Sequence, residues 1–161
     1  MSTNMKIKLS NFSFTFIFLF LLFNNLIRGQ EWNTDEKDLT KRVEQFLFFA
    51  GNYDIESMSK MMTDHANVGI ARLKDGNNFI ITMTIQQYFE ETQKRTLRPY
   101  FEPVNEFTIH IDDEHLAFVR ADAILYAYGV PQSHNLDYFI LMKENDVWKF
   151  LSLSYTPTPI P

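Results

Sequence analysis

The 161-residue chain contains no cysteine. It therefore has no disulfide bond, no thiol nucleophile, no cysteine-ligated metal and no lipidated cysteine. Its five glycines form no phosphate-binding loop, and its four histidines are isolated from one another, so we expect neither a cofactor nor a metal. What stabilises the fold must be an apolar core, and the many Phe, Leu, Ile and Met residues supply one.

The first 29 residues match a secretory signal peptide. Lys6 and Lys8 are basic, Phe12–Phe23 is an almost unbroken apolar run, and Gly29 offers a small residue for cleavage. The run is shorter than the roughly 20 residues of a membrane span, but an uncleaved anchor is the alternative. We expect cleavage near Gly29 and a secreted or periplasmic protein, with membrane contact only if the segment is retained.

Basic residues are scarce in the remainder of the chain. Lys6, Lys8 and Arg28 are the only charged residues of the first 29, so 12 basic and 20 acidic side chains follow, for a net charge of −8. Nucleic acid and anionic membrane surfaces require a basic patch, so we expect neither as a partner. The length suits one domain over residues 30–156, followed by a disordered proline-rich tail over 157–161.

Three helices are predicted. The first covers Asp35–Ala50 and the second Asp54–Thr63, while the third begins at a capping box formed by Thr84 and Gln87 and ends before Pro99. The first has an apolar stripe at helical spacing: Leu39, Val43, Phe46, Leu47 and Ala50.

Strands alternate with these helices and then dominate the chain. The predicted strands are Val68–Leu73, Phe79–Thr82, Val104–Ile111, His115–Tyr128, Asn135–Lys143 and Val147–Tyr155. The last three form a meander with a six-residue turn over Gly129–His134 and a short turn over Glu144–Asp146. Helices early and antiparallel strands late indicate an α+β fold, and prolines keep residues 156–161 out of any ladder.

This order of elements, and the closing hairpin Asp137–Phe150, resemble the nuclear transport factor 2-like superfamily. The nearest subgroup is the SnoaL-like and lumazine-binding proteins of exported bacterial sequences, although Val147 stands where that family often has glycine. The resemblance implies a cystatin-like α+β roll, in which a cone-shaped, curved antiparallel sheet wraps around three N-terminal helices and leaves a pocket. It implies no particular chemistry, because members include isomerases, dehydratases, epoxide hydrolases and binding domains.

The long strand His115–Tyr128 has two different faces. One is apolar and mostly small, and is expected to meet the helices: Ala117, Val119, Ala121, Ala123, Leu125 and Ala127. Small side chains there either leave pocket volume or allow close packing. The other face would be external, and we expect it to form a homodimer through Phe118, Ile124 and Tyr126, beside Phe139 and Leu141.

Two groups of polar residues are candidates for catalysis. Arg120 and Asp122 either form a surface pair or, as the resemblance to epoxide hydrolases implies, a catalytic Arg-x-Asp fragment. The catalytic interpretation needs Asp137 as a second acid and a bulge that turns the pair inward. Asp64 and His65 are expected at the pocket rim, where at most one points inward, or else they are ordinary turn and strand residues.

Large and flexible apolar side chains are candidates for ligand binding. Tyr138 and Trp148 would offer a stacking surface if they face the pocket, and Met58, Met62 and Tyr88 would complete its wall. We therefore predict a protein that binds a small, largely apolar molecule. The alternative is a cofactor-free acid–base enzyme of isomerase, dehydratase or epoxide hydrolase type, and a docking module with a filled cone is a third possibility.

Overall fold

The computed structural model describes residues 33–74, 76–96 and 98–161, and Thr34–Pro161 form one compact unit. The predicted signal peptide lies outside the described residues, so cleavage and export stay predictions. No helix in the described ranges has the length and apolarity that crossing a membrane requires.

The helices of this unit are α1 (Thr34–Gly51), α2 (Ile55–Met61) and α3 (Ile85–Gln93). Asp54 caps α2, and the predicted capping box of α3 is confirmed. The Asp54 carboxylate accepts a hydrogen bond from the Ser57 backbone N–H, and Thr84 and Gln87 form the full capping box. The predicted apolar stripe of α1 is buried throughout. Helix α2 ends earlier than predicted because the next residue, Met62, adopts extended backbone and begins a strand.

One curved, open sheet covers these helices. Its strands are β1 (Met62–Lys74), β2 (Asn77–Thr84), β3 (Tyr100–Phe101), β4 (Val104–Asp112), β5 (Leu116–Ala127), β6 (Val130–Glu144) and β7 (Val147–Pro159). The strand order is β2-β1-β7-β6-β5-β3, and β4 also pairs with β5. All pairs are antiparallel except β1 with β7, which are parallel. The predicted α+β roll is confirmed.

An aromatic cluster joins α1 to the inner face of the sheet. Phe46 of α1 packs against Phe139 and Phe150, with ring centroids 6.0 and 4.9 Å away, and those two rings are 5.4 Å apart. All three side chains are buried. The predicted helix-facing side of β5 is likewise buried from Ala117 to Ala123.

The turn between β5 and β6 has two residues instead of the predicted six. Tyr128 and Gly129 adopt φ angles of 54° and 75°, and Ala127 pairs directly with Val130. Two consecutive positive φ values are typical of the tight turns that match the twist of a hairpin. The following strand therefore begins five residues earlier than predicted.

A β-bulge next to this turn decides which side chains of β6 point inward. Tyr126 pairs with Pro131 but Leu125 pairs with Ser133, so Gln132 is an extra residue on β6. This change of register by one residue exchanges the two faces of the strand beyond the bulge. Asp137, Phe139 and Leu141 are buried on the inner face, while Tyr138 lies on the outer face. The prediction that Phe139 and Leu141 belong to the outer surface is therefore wrong.

The closing hairpin is tight although it lacks glycine. Asn145 and Asp146 adopt φ angles of 50° and 62°, and Glu144 pairs with Val147. Asn and Asp enter this left-handed region more readily than other non-glycine residues, because their short polar side chains can bond locally. The departure from the Asp-Gly pattern therefore leaves the turn intact.

The proline-rich tail pairs with β6, contrary to the prediction that it cannot join a ladder. Pro157 and Pro159 lie opposite Asn135 and Ser133, and the Ile160 N–H donates to the Gln132 carbonyl. Backbone N–H groups alternate in direction along a strand, so those of every second residue before Ile160 point toward β6. The nitrogens of Pro157 and Pro159 point away from β6, toward the opposite edge of the strand. The pairing of β1 with β7 ends at Tyr155, so no ladder bond is lost there.

Candidate functional site

A cavity of about 230 Å³ lies between the C-terminal half of α1 and the inner face of the sheet. Its apolar wall comes from α1 and from the centres of β6 and β7: Phe46, Leu47, Ala50, Phe139 and Leu153. These residues belong to the core, so the wall is part of the folded scaffold. The other side of the cavity is polar.

Asp137 is the most unusual polar residue of the cavity. Its side chain is 6% exposed, and its Oδ2 atom is buried with no hydrogen-bond partner among the described residues. Burial, together with the nearby charges of Glu102 and Asp122, raises the pKa of Asp137 to about 8. A carboxyl group in this setting holds its proton near neutral pH and can donate a hydrogen bond.

A second buried acid lies beside it. Glu102, which follows β3, is 8% exposed, and its carboxyl accepts a hydrogen bond from the Asn135 amide. The Ser133 hydroxyl in turn donates to the Asn135 carbonyl oxygen over 2.7 Å. Burial raises the pKa of Glu102, and the Asn135 hydrogen bond partly opposes that shift. Unlike Asp137, Glu102 is therefore held by a partner within the protein.

Three tyrosines complete the polar side: Tyr88, Tyr100 and Tyr155. Burial raises the pKa of all three phenols, so each remains a neutral donor over the physiological range. Tyr155 lies opposite Asp137 in the pairing of β6 and β7. The cavity therefore places several hydrogen-bonding groups opposite an apolar wall.

Two arginines also line the cavity. Arg72 lies near the end of β1 and Arg95 just after α3, and both are exposed to solvent. Burial raises the pKa of Tyr155, and both guanidinium groups oppose that shift. The arginines therefore lie near the polar side of the cavity as well as near solvent.

A second depression, of about 450 Å³, lies between α1 and the segment from β3 to β4. Exposed Phe48 and Phe101 flank it, and Tyr100 and Glu102 separate it from the first cavity. It is larger, but Asp137 does not line it. The smaller cavity is the better candidate site because it contains the buried carboxyl without a partner.

Of the residues proposed from the sequence, the structure brings Tyr88 and Asp137 together in the cavity. Arg120 and Asp122 point to the outer face and form an ion pair at 3.2 Å. His134 contacts the other Asp122 oxygen at 2.7 Å. The bulge in β5 that would turn Arg120 and Asp122 inward is absent: β5 keeps its alternation, and the irregularity opposite Asp122 places its extra residue, Asn105, on β4. Asp137 and this pair therefore lie on opposite faces of the sheet.

The expected aromatic wall of Tyr138 and Trp148 does not line this cavity. Tyr138 lies outside against Phe118, with ring centroids 6.0 Å apart. Trp148 is buried at the other end of α1, where its ring nitrogen donates to Asp35 over 3.4 Å and Lys143 sits over the ring. Helix α1 rises about 1.5 Å per residue, so this end is roughly 20 Å from Ala50.

The remaining candidates also lie away from the cavity. Met58 and Met62 are buried in the core but are not among its lining residues. Asp64 and His65 are exposed on β1, and the Asp64 carbonyl accepts a hydrogen bond from Gln86. Among the residues that the structure describes, no group of three His, Asp or Glu side chains is placed to hold a metal ion.

Sequence reasoning missed Glu102, Asn135, Tyr155 and the two arginines. Alternation along β6 places Asn135 on the same face as Asp137, and would have identified it had the bulge at Gln132 been recognised. Arg72 continues the inward alternation of Ala66, Val68 and Ile70, which is a visible pattern. Glu102 belongs to a short segment with no such pattern, and only its pairing with β5 locates it.

Comparison of the fold with solved structures finds similar proteins from bacteria. An NTF2-like protein of unknown function from Shewanella baltica OS155 is 16% identical, with 82% of this chain and 100% of that chain covered and a TM-score of 0.59. A protein from Novosphingobium aromaticivorans provisionally named a scytalone dehydratase is 14% identical, with 77% and 84% covered and a TM-score of 0.62.

A third similar structure is a protein of unknown function with a cystatin-like fold from Nostoc punctiforme. It is 10% identical, with 81% of this chain and 96% of that chain covered and a TM-score of 0.63. The sequence matches no protein-family model, and comparison with curated proteins gives no match. Identities this low establish the fold alone. The chain therefore has the NTF2-like, cystatin-like fold.

Proposed function

We propose that this protein binds a small, largely apolar molecule in the 230 Å³ cavity, and that protonated Asp137 donates a hydrogen bond to an oxygen of that molecule. The observation that carries the proposal is the buried Asp137 Oδ2 atom without a partner. Leaving a buried polar group unpaired costs about 1–3 kcal/mol. A ligand with an acceptor at this point removes that cost.

The rest of the cavity defines the size and character of the ligand. The wall of Phe46, Leu47 and Phe139 supplies affinity through apolar burial, while Asp137 and the tyrosines supply orientation. The volume is below the roughly 300–1,000 Å³ of pockets for drug-sized ligands. A molecule with one ring and short substituents therefore fits the cavity best.

Binding of two probes of similar shape tests the role of Asp137. Acetophenone carries a carbonyl oxygen, and cumene has the same outline without it. The ratio of their affinities, measured by NMR titration, should shift toward acetophenone by roughly five- to tenfold in wild type relative to Asp137→Leu. Asp137→Asn, whose amide still donates, should retain most of the wild-type ratio.

An affinity ratio that is the same in wild type and Asp137→Leu would show that Asp137 does not contact the ligand. Comparing ratios between variants cancels the difference in apolarity between the two probes. Acetophenone should also bind more weakly above pH 8, where Asp137 loses its proton, while cumene should not.

A second candidate function is cofactor-free acid–base catalysis. It is favoured by the Asp137 pKa of about 8, since a group that titrates near the working pH can both take and return a proton. Two of the proteins with similar solved structures are provisionally named dehydratases. In this candidate function, the Asp137 carboxylate removes a proton from carbon beside a ligand carbonyl.

Hydrogen exchange separates binding from catalysis. The methyl protons of acetophenone would exchange with deuterated water faster in the presence of wild-type protein than in the presence of Asp137→Asn. Exchange at the same rate with both proteins, while acetophenone is bound, would leave binding as the function.

Within the NTF2-like fold, we propose the SnoaL-like or lumazine-binding subgroup and an exported protein. The closing hairpin Asp137–Phe150 and the apolar run Phe12–Phe23 support this assignment. Intact-mass analysis of protein recovered outside the cytoplasm tests the export. A mature species that still contains residues 12–23 would instead favour a membrane anchor.

A further inference from the structure

The position of Arg72 is unusual for an arginine on this strand. Alternation along β1 points Ala66, Val68 and Ile70 into the core, and Arg72 occupies the next inward position. An arginine needed only for solubility would be expected on the outward face, with Gly69 and Ala71. The Arg72 side chain instead lines the cavity beside Tyr155.

Arg95 adds a second guanidinium group from a different element. Its backbone N–H donates to the Thr92 carbonyl, which holds it directly after α3, and its side chain lines the same cavity. Among the described residues, neither arginine forms an ion pair with a carboxylate. Two cations from separate elements therefore line one cavity, and neither forms an ion pair with the carboxyl groups of its lining; Glu91, which lies near Arg95, is outside that lining.

Neither buried acid is paired with these cations. The raised pKa of Asp137 arises from burial, Glu102 and Asp122, and that of Glu102 from burial, with no opposing contribution from either arginine. A protonated acid carries no charge to balance a guanidinium. When Asp137 holds its proton, the arginine side of the cavity is thus positive and the Asp137 side is a neutral donor.

We propose that the ligand of this cavity is a small carboxylic acid, whose carboxylate is bound by Arg72 and Arg95 while its opposite, oxygen-bearing end reaches Asp137. The carboxylate proposal rests on the proposed function and specifies the chemical class of the ligand. The planar guanidinium group matches a carboxylate through two parallel hydrogen bonds, which favours a carboxylate at this end.

The sheet register sets the distance between the two ends of such a ligand. Asp137 pairs with Tyr155, and Tyr155 pairs with Ile70, two residues before Arg72. Two strand spacings of about 4.8 Å and two residues of about 3.3 Å place the Cα atoms of Asp137 and Arg72 roughly 12 Å apart. Side chains on one face of a sheet stand roughly perpendicular to it, so the Asp137 carboxyl and the Arg72 guanidinium remain about this far apart. A single substituted ring with a hydrogen bond at each end spans that distance.

Three probes of one shape test the proposal. 4-Acetylbenzoate carries both ends, 4-acetylbenzamide replaces the carboxylate with a neutral amide, and 4-isopropylbenzoate replaces the acetyl oxygen with a methyl group. Affinities are measured by isothermal titration calorimetry at pH 6.5 with wild type, Arg72→Gln, Arg95→Gln and the double variant. Arg42→Gln, which removes an equal charge from a residue of α1 that does not line the cavity, is the control.

Wild type and Arg42→Gln should bind 4-acetylbenzoate roughly tenfold or more tightly than 4-acetylbenzamide. Each single arginine variant should reduce this preference, and the double variant should abolish it while still binding the amide, which shows that the cavity is intact. The preference in wild type should also fall as salt is raised, because the arginines are exposed.

Each contrary result has a distinct meaning. Equal affinity for the two acetyl probes in wild type, or a preference that survives in the double variant, would overturn the carboxylate proposal and leave the proposed function standing. Equal affinity for 4-acetylbenzoate and 4-isopropylbenzoate would overturn the role of Asp137 instead. If no probe binds wild type at millimolar concentration, both proposals are wrong.

Discussion

Asp137 and Tyr155 occupy paired positions on neighbouring strands, so their side chains lie next to each other on the inner face of the sheet. Burial raises the pKa of both groups, and the Asp137 charge contributes to the rise at Tyr155. Each is therefore most stable as a neutral hydrogen-bond donor. This pairing gives the polar side of the cavity two adjacent donors.

Replacing Asp137 with Asn should change how stability depends on pH. An acid whose pKa is higher in the folded than in the unfolded protein binds more protons when folded, so stability falls as pH rises from about 3.9 to about 8. The variant lacks this loss, which is on the order of a few kcal/mol over that range. Urea unfolding at pH 5 and pH 8 should show that the free energy of unfolding of the variant, relative to wild type, is higher at pH 8.

The charged and titratable groups near Asp137 remain in both proteins, so the difference between the two proteins isolates the titration of Asp137. Glu102, Tyr155 and the two arginines line the cavity with Asp137, and Asp122 lies on the opposite face of the sheet. A difference in unfolding free energy that does not change between pH 5 and pH 8 would contradict a buried acid that holds its proton.

Gly51→Ala should disturb the cavity from outside it. A Cβ atom at residue 51 would lie 2.2 Å from the Tyr100 carbonyl oxygen, so α1 and β3 would have to separate. Forcing an extra carbon into such a contact costs about 1–3 kcal/mol. Because β3 leads into Glu102, ligand probes should also bind more weakly to this variant.

The same substitution at exposed Gln45 of α1 is the control, because its side chain meets solvent. Denaturant titration should show a loss for Gly51→Ala and little change for Gln45→Ala. Equal stability of the two variants would show that α1 and β3 do not approach as closely as the structure indicates.

Asp35→Asn should weaken the attachment of α1 to the last hairpin. Asp35 accepts hydrogen bonds from Lys143 at 2.7 Å and from Trp148 at 3.4 Å. The hydrogen bond from Lys143 holds the pKa of Asp35 below its usual value. The stability that the Asp35 carboxylate contributes is therefore present above the pKa that Asp35 has in the unfolded chain, and it is lost as the pH falls below that value. We expect a loss of about 1 kcal/mol near neutral pH.

Trp148 fluorescence offers a local measurement in a Trp32→Phe background, where Trp148 is the only tryptophan. Asp35→Asn should shift its emission, whereas Asp38→Asn, an exposed acid one turn further along α1, should not. An unchanged emission spectrum in both variants would contradict the contact between Asp35 and Trp148.

The outer face of the sheet is expected to form a homodimer. Phe118, Tyr138 and Ile140 lie together there and are only half-buried, and Ile140 pairs with Phe118. Such a patch on a monomer favours association. Light scattering at micromolar concentration should give twice the mature mass for wild type and the single mass for Ile140→Glu.

Val147→Glu, at an exposed turn of the closing hairpin, is the matched control and should remain dimeric. A wild-type protein that stays monomeric and soluble at that concentration would contradict the predicted dimer and the role of the outer face as its interface.

Local sequence patterns determined the elements of this fold. The stripe from Leu39 to Ala50 and the capping box at Thr84 act within a few residues, and both are present in the structure as predicted. The alternating apolar face of β5 also depends only on neighbouring residues, and it is buried as predicted. Helix and strand order then indicated an α+β fold, and the resemblance to the nuclear transport factor 2-like superfamily implied the roll.

The candidate site depended on tertiary structure. A six-residue turn would pair Tyr128 with Asn135 and turn Tyr138 inward. The two-residue turn, continued without irregularity, would pair Arg120 with Asp137 and leave that acid on the outer face. The bulge at Gln132 moves the pairing by one residue, so Asp137 pairs with Ala121 and turns inward. Glu102 and the arginines reach the cavity only because distant segments pack together, and no local pattern carries that information. Residue type and spacing decided each strand, while register and packing decided which side chains meet around the cavity.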